Sequence, residues 1–361
     1  MMRRTKTLTA IAIGSLLATG ALTACASNGG DGGGDGGGDG GGDGSDGTIG
    51  LLLPESKTSR YEAFDRPLFE ARVAELGNFE VLYSNADQDA AKQQQQAESA
   101  LASGVDVLVL DPVDAEAAVS IVNEASGQGV PVVSYDRLVA GGDLAYYISF
   151  DNEQVGVLQG EALTEKLGGT GSIIMVNGSP TDGNAAQFKQ GAHSVIDDSG
   201  VTVLAEFDTP DWSPDKAQEW VAGQLTQFAG QINGVYAAND GTAGGAIAAM
   251  KAANVTPWPI VTGQDAELAG IQRIVAGDQF MTVYKAIKAE AELAAEVAVK
   301  LAQGETVEGD TDTDGVPTTL LTPVVVTVDN IMDTVVADGF FTVDDICTAE
   351  YADACAAAGI Q

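Results

Sequence analysis

The sequence predicts an α/β protein of two doubly wound, parallel-sheet lobes, and three observations carry that expectation. From Thr48 onward, short β-branched apolar runs alternate with Ala-rich helical stretches roughly every 25 to 30 residues, the pattern of βαβ units. The runs are nearly continuous in apolarity rather than alternating, as strands covered on both faces require. The stretch beyond Thr48 holds roughly 300 residues, more than one hydrophobic core usually serves, so two lobes are expected.

The chain opens on MMRRTK, with Arg3, Arg4 and Lys6 and no acid, followed by an apolar run from Leu8 to about Leu22. A basic start and a short apolar stretch indicate an export signal rather than a membrane span. The run ends in Leu22-Thr23-Ala24-Cys25, which resembles a lipobox. Residues 1–24 are therefore expected to be removed and Cys25 acylated, holding the protein on the outer face of the cytoplasmic membrane by its lipid alone. Residues 25–47 contain Gly broken by Asp31, Asp35, Asp39, Asp43 and Asp46. Such a segment is a flexible, self-repelling tether spanning about 25 Å.

Strands are predicted at 48–53, 79–83, 106–110, 130–135 and 145–150. Past the middle they recur at 172–177, 201–207, 233–238, 259–263, 280–284 and 323–328. Between them, Ala185–Ile196 places Phe188, Ala192, Val195 and Ile196 on one helical stripe. Cys347 and Cys355 close the chain. In an exported protein they are candidates for a disulfide, which needs a turn between them because eight residues of one helix would hold them about 12 Å apart.

The formal charge of −35 becomes more negative once the basic start is removed. A polyanion of this kind is repelled by phosphate backbones and anionic lipid, so nucleic acid is excluded as a partner. Catalytic patterns are missing too: no G-x-S-x-G elbow, no P-loop, and one histidine, His193, without a second His or Cys at metal-ligand spacing. Asp310-Thr-Asp312-Thr-Asp314-Gly315 begins like a calcium loop, but Leu321 occupies its twelfth position and Pro317 intrudes. It reads as an acidic surface turn. No enzyme activity, metal or cofactor is expected.

Polar residues stand directly after the strands: Asp111-Pro112, Asp136-Arg137, Asp151-Asn152, Ser179-Pro180, Asn239-Asp240, Asp265 and Lys285. In open α/β sheets, ligands bind beyond those strand ends. Helix capping is the competing explanation for Asp111 and Asp151, but it does not account for Arg137 or Lys285, since cations gain nothing at a helix start. Carboxylates, amides, cationic forks and the indole of Trp212 form the complement of a neutral polyol, which offers hydroxyls and an apolar C–H face.

SYDR (134–137), YISFDNEQVG (147–156), GSPTDGNA (178–185), NDGTAGGAI (239–247), GQDAELAGIQRIVAG (263–277), MTVYK (281–285) and LLTP (320–323) resemble the type I periplasmic binding proteins, especially the D-xylose binders of ABC sugar importers. The resemblance runs from about Thr48 to Phe340. It implies two Rossmann-like lobes joined by a three-strand hinge, with 48–153 and 284–322 in the first, 154–283 and 323–346 in the second, and 347–361 as a tail.

Carried over by position, the resemblance implies sugar contacts from Arg60, Tyr61, Asp136 and Arg137 on one side. Asp182, Asn184, Trp212, Asn239 and Asp265 face them, with Lys285 beside the hinge. Tyr61 stands where the family usually has Trp, Gly183 replaces an Asn and Ala238 a small polar residue. Several segments also resemble multiple-sugar binders, so glucose, galactose or arabinose stands as the alternative to D-xylose. The implied protein is a monomer that delivers a monosaccharide to an ABC permease or presents it to a sensor.

Overall fold

A computed structural model describes residues 45–361; the export segment, Cys25 and most of the Gly/Asp tether lie outside them. In the first half of the fold, β1 (Gly47–Leu53), β2 (Phe79–Asn85), β3 (Val107–Leu110), β4 (Val132–Tyr135) and β5 (Tyr146–Phe150) lie parallel. The second half holds β6 (Thr170–Asn177), β7 (Gly200–Asp208), β8 (Gly234–Ala237) and β9 (Ile260–Val261), also parallel, in the order β7-β6-β8-β9. Then come β10 (Met281–Tyr284), β11 (Thr311–Thr313), β12 (Val316–Leu321) and β13 (Val324–Thr327). The first sheet reads β11-β12-β5-β4-β3-β1-β2, while β10 and β13 form an antiparallel pair.

Both faces of each parallel sheet are buried, which is why the strands are apolar throughout. Leu51, Val107 and Val109 face the helices Arg66–Leu76 and Ile287–Ala302, while Leu52, Leu108 and Leu110 pack against Ala97, Ile121 and Val122 on the other side. In the second sheet Ile173 and Met175 join Phe188 and Tyr236, whereas Ile174 and Val176 join Ala217, Ala246 and Met250. At ~25 cal/mol per Å² of apolar area removed from water, these four layers are the main source of stability.

The chain crosses between the sheets three times: after β5, after β10, and between β12 and β13. β10 continues the second sheet, Phe280 N–H donating to Val261 O at 2.9 Å and Val283 N–H to Gly263 O at 3.0 Å. The expected pair of doubly wound lobes is therefore present, with one difference. Residues 311–321 lie outside the strands predicted from sequence. They form a hairpin, β11–β12, whose second strand extends the first sheet beside β5. Asp314 and Gly315 both adopt positive φ, 53° and 91°, the conformation of a type I′ turn. The acidic turn is thus the tip of a hairpin, and polar Thr-rich strands hid it from a reading based on apolar runs.

The tail folds back on the second half. Cys347 ends the helix Val343–Ile346, a turn follows, and Cys355 lies in the helix Ala352–Ala358; the two are bridged with their Cα atoms 5.9 Å apart. Ile346, Cys355 and Ile360 are buried with Ile271 and Ile274. Among the described residues no helix is long and apolar enough to cross a membrane.

Candidate functional site

The carboxyl ends of both sheets face one another across a cavity of about 280 Å³, its mouth included. Every residue nominated from sequence as a sugar contact lines it, joined by Thr58, Phe188 and Gln264.

From the first sheet, Arg60 enters on the loop after β1, ahead of a turn of π-helix, Tyr61–Asp65. Its guanidinium is spoken for on every side. Nε donates to Asp65 Oδ2 at 2.9 Å, Nη2 to Asp65 Oδ1 at 2.6 Å and to Glu290 Oε2 at 2.7 Å, and Nη1 to Asp136 Oδ1 at 3.2 Å. Tyr135 hydroxyl also donates to Asp65. Asp136 and Arg137 follow β4. Asp136 holds φ at 55°, a left-handed conformation rare outside Gly and a sign of a side chain aimed by its surroundings. Tyr61 hydroxyl donates to Asp136 Oδ2 at 3.2 Å and accepts from Arg137 Nη2 at 3.1 Å.

From the second sheet, Asp182 follows β6 and serves two purposes. Its Oδ1 accepts from Asn184 N–H at 2.9 Å, capping the helix Gly183–Ile196, while its Oδ2 accepts from the Trp212 indole at 3.0 Å. Asn184 reaches across to donate to the Asp136 backbone carbonyl at 3.0 Å. Trp212 lies edge-on to Phe188, ring centroids 6.3 Å apart, with its own φ at 51°. Asn239 caps the helix Asp240–Ala252, accepting from Thr242 N–H at 2.9 Å. Capping and cavity lining are therefore not alternatives here: a short side chain at a helix start can do both. Asp151 is a cap, accepting from Gln154 N–H at 3.0 Å, whereas Asp111 caps no helix.

Lys285, beside the crossing after β10, joins the halves electrostatically. Its Nζ is 3.0 Å from Asp265 Oδ1 and 3.7 Å from Asp136 Oδ1. Burial alone would lower its pKa, but Asp136 and Asp265 outweigh that and raise it. Burial likewise opposes ionisation of Asp136, yet Arg60, Lys285 and Arg137 hold its carboxyl below the usual range. Both groups are thus ionised near neutrality. Glu290 behaves oppositely: burial pushes its carboxyl well up, Arg60 pulls against that, and Asp136 and Asp65 add to it. Asp240 is pushed up to about 7, and the half-buried Glu267 to about 8, by desolvation and then by neighbouring carboxylates.

Two acceptors keep capacity to spare. Gln264 Oε1 is buried without a hydrogen-bond partner among the described residues, and Asp265 Oδ1 has only the ion pair with Lys285 at 3.0 Å. Buried polar atoms are normally satisfied, so these two, beside the Lys285 ammonium, are equipped to take a ligand's hydroxyls.

The residues that sequence reasoning missed fall into two groups. Thr58, Phe188 and Gln264 line the cavity; Phe188 sits one helical turn beyond Asn184 and so shares its face, a signal masked by its place in a core stripe. Asp65 and Glu290 stand behind the lining, and only three-dimensional proximity finds them; Asp111, already read from sequence as a strand-end carboxylate, stands there with them. His193 sits away from the cavity, 3.1 Å from Asp197 and 3.5 Å from Glu206.

A family profile described as "Periplasmic binding protein domain" matches residues 49–306. The chain is 39% identical over 300 residues to the D-xylose-binding periplasmic protein of Escherichia coli, covering 81% of this chain and 90% of that one. It is 37% identical over 306 residues to the protein of the same description from Haemophilus influenzae, covering 82% and 91%. Among solved structures, an ABC transporter solute-binding protein from Clostridium phytofermentans with bound β-D-glucose superimposes with a TM-score of 0.77 at 28% identity, covering 83% of this chain and 99% of that one. These relatives are solute-binding proteins, not enzymes.

Proposed function

The chain belongs to the periplasmic binding protein family, and from that premise we propose that it is an exported lipoprotein that captures a monosaccharide, D-xylose first, for an ABC importer. The observation that carries this reading is the cavity itself: acidic and basic side chains from both halves pair around one shared space. A charged ligand would upset that balance, whereas a neutral polyol adds hydroxyls that donate and accept. Trp212 and Phe188 offer apolar surface for C–H groups. The E. coli and H. influenzae relatives support xylose; the glucose held by the Clostridium structure supports the alternative of a broader aldose range.

In this reading the hinge of three crossings lets the lobes part. Sugar touches both sides, so its binding favours the closed form by differential contact, and the permease receives that form. Cys25, acylated, keeps the protein at the membrane. Calorimetric titration against pentoses and hexoses tests it: D-xylose should bind and raise Tm, and Arg137→Ala or Asp265→Ala should abolish that rise while leaving the unliganded protein folded. No heat with any aldose, or undiminished stabilisation of both variants, overturns the assignment.

A further inference from the structure

Asp111 follows β3 with its side chain fully buried, and neither carboxylate oxygen accepts a hydrogen bond among the described residues. Its nearest cation is Arg137, whose Nε lies 3.5 Å from Oδ1. The same Nε is nearer, at 3.0 Å, to Oδ2 of Asp182. The mounting of these groups differs. Asp111 and Arg137 both follow strands of the first sheet, so they keep company whatever the lobes do; Asp182 follows β6 of the second sheet and meets Arg137 only when the lobes are together. A buried carboxylate without hydrogen bonds is costly. An arrangement that leaves Asp111 in that condition is one in which its partner has been drawn away.

We infer that Asp111 is the positioning residue of Arg137: it holds the guanidinium while the lobes are apart and yields it to Asp182 when they close. The exchange rests on geometry alone; its coupling to sugar rests on the proposed function. It keeps Arg137 aimed at the cavity before ligand arrives, and it links closure to a proton. The charged and titratable groups facing Asp111 are Arg137, Asp136, Arg60, Asp182 and Tyr61. Burial pushes its carboxyl well above the usual range, Arg137 pulls against that, and Asp136 adds to it. Giving Arg137 up to Asp182 takes from Asp111 the charge that favours its ionised form, so closing raises its pKa and takes up a proton from solvent. Closure and ligand affinity therefore strengthen as pH falls, by up to about ten-fold per pH unit for a whole proton.

Two measurements on the full chain decide it. Small-angle X-ray scattering of the ligand-free protein, from about pH 8 down to about pH 5 where carboxyls of raised pKa titrate, should show the wild type contracting, and Asp111→Asn contracted throughout. Calorimetry with D-xylose in two buffers of unlike ionisation enthalpy should show proton uptake by the wild type and less by Asp111→Asn, whose affinity at the upper pH is several-fold higher. Asp182→Asn, which removes the closed-form partner, should stay expanded and bind weakly. A wild-type pH profile for Asp111→Asn in scattering overturns the inference. If no aldose produces heat, the sugar reading fails and scattering alone settles the exchange of partners. Should Asp111→Asn not fold, wild-type scattering from Asp182→Asn overturns it instead.

Discussion

Replacing Gly178 with Ala strikes the cavity through a residue that carries no side chain. Gly178 follows β6, and a methyl group there would sit 2.1 Å from Trp212 Cη2, 2.3 Å from Cζ2 and 2.7 Å from the Ala185 methyl. Ordinary van der Waals contact begins at 3.4 Å, so the indole must retreat by about 1 Å or more. Trp212 is buried and closed off on another side by Phe188, which leaves the cavity as its way out. Overpacking of this kind costs about 1–3 kcal/mol, or a Tm lower by about 2–5 °C for a chain of this size. The retreat also breaks the 3.0 Å bond from the indole to Asp182 and moves the ring into the space a sugar would use. With about 1.4 kcal/mol per factor of ten, sugar affinity should fall about 10- to 100-fold. Scanning calorimetry and titration with D-xylose measure both. A variant with wild-type Tm and wild-type affinity would refute the role given to Gly178.

Other perturbations probe the charges. Lys285→Met removes the cation standing between Asp136 and Asp265 and should cost about 3–5 kcal/mol in denaturant unfolding, as expected when one partner of a buried pair is lost; a loss below about 1 kcal/mol would contradict the pairing. Glu267, whose carboxyl is pushed up to about 8, accepts from Ser59 N–H of the opposite half at 3.1 Å. Because its folded pKa lies above the unfolded value, its neutral form contributes stability that is complete below the ordinary Glu range and lost as pH rises through about 8. Tm should accordingly decline from the ordinary Glu range up to about pH 8, and Glu267→Gln should flatten part of that decline; an unchanged slope would dismiss the group as the source.

Much of the cavity was legible in the chain because an open parallel sheet delivers its strand ends to one edge. Once the strands are placed, whatever follows them must converge, and Asp136, Arg137, Asp182, Asn239, Asp265 and Lys285 all follow strands directly or within a few residues. Arg60 and Tyr61 rest instead on resemblance, since their loop carries no periodic signal, and Trp212 is offered by residue chemistry and assigned its place by resemblance.

What periodicity could not supply was anything fixed by contacts remote in sequence. In the β11–β12 hairpin the edge strand β11 is polar and β12 is broken by Pro317, Thr318 and Thr319, so no continuous apolar run marks it. Glu290 sits on a helix rich in Glu and looks like a solvated residue, yet it is fully buried against Arg60, 230 positions away. Asp111 looks like a helix cap and is none. Local sequence determines strand, helix and strand-end chemistry, because backbone pattern and side-chain polarity act within a few residues. Which carboxylate meets which cation, and which is left without a partner, depends on two lobes packing together, and that only the tertiary structure decided.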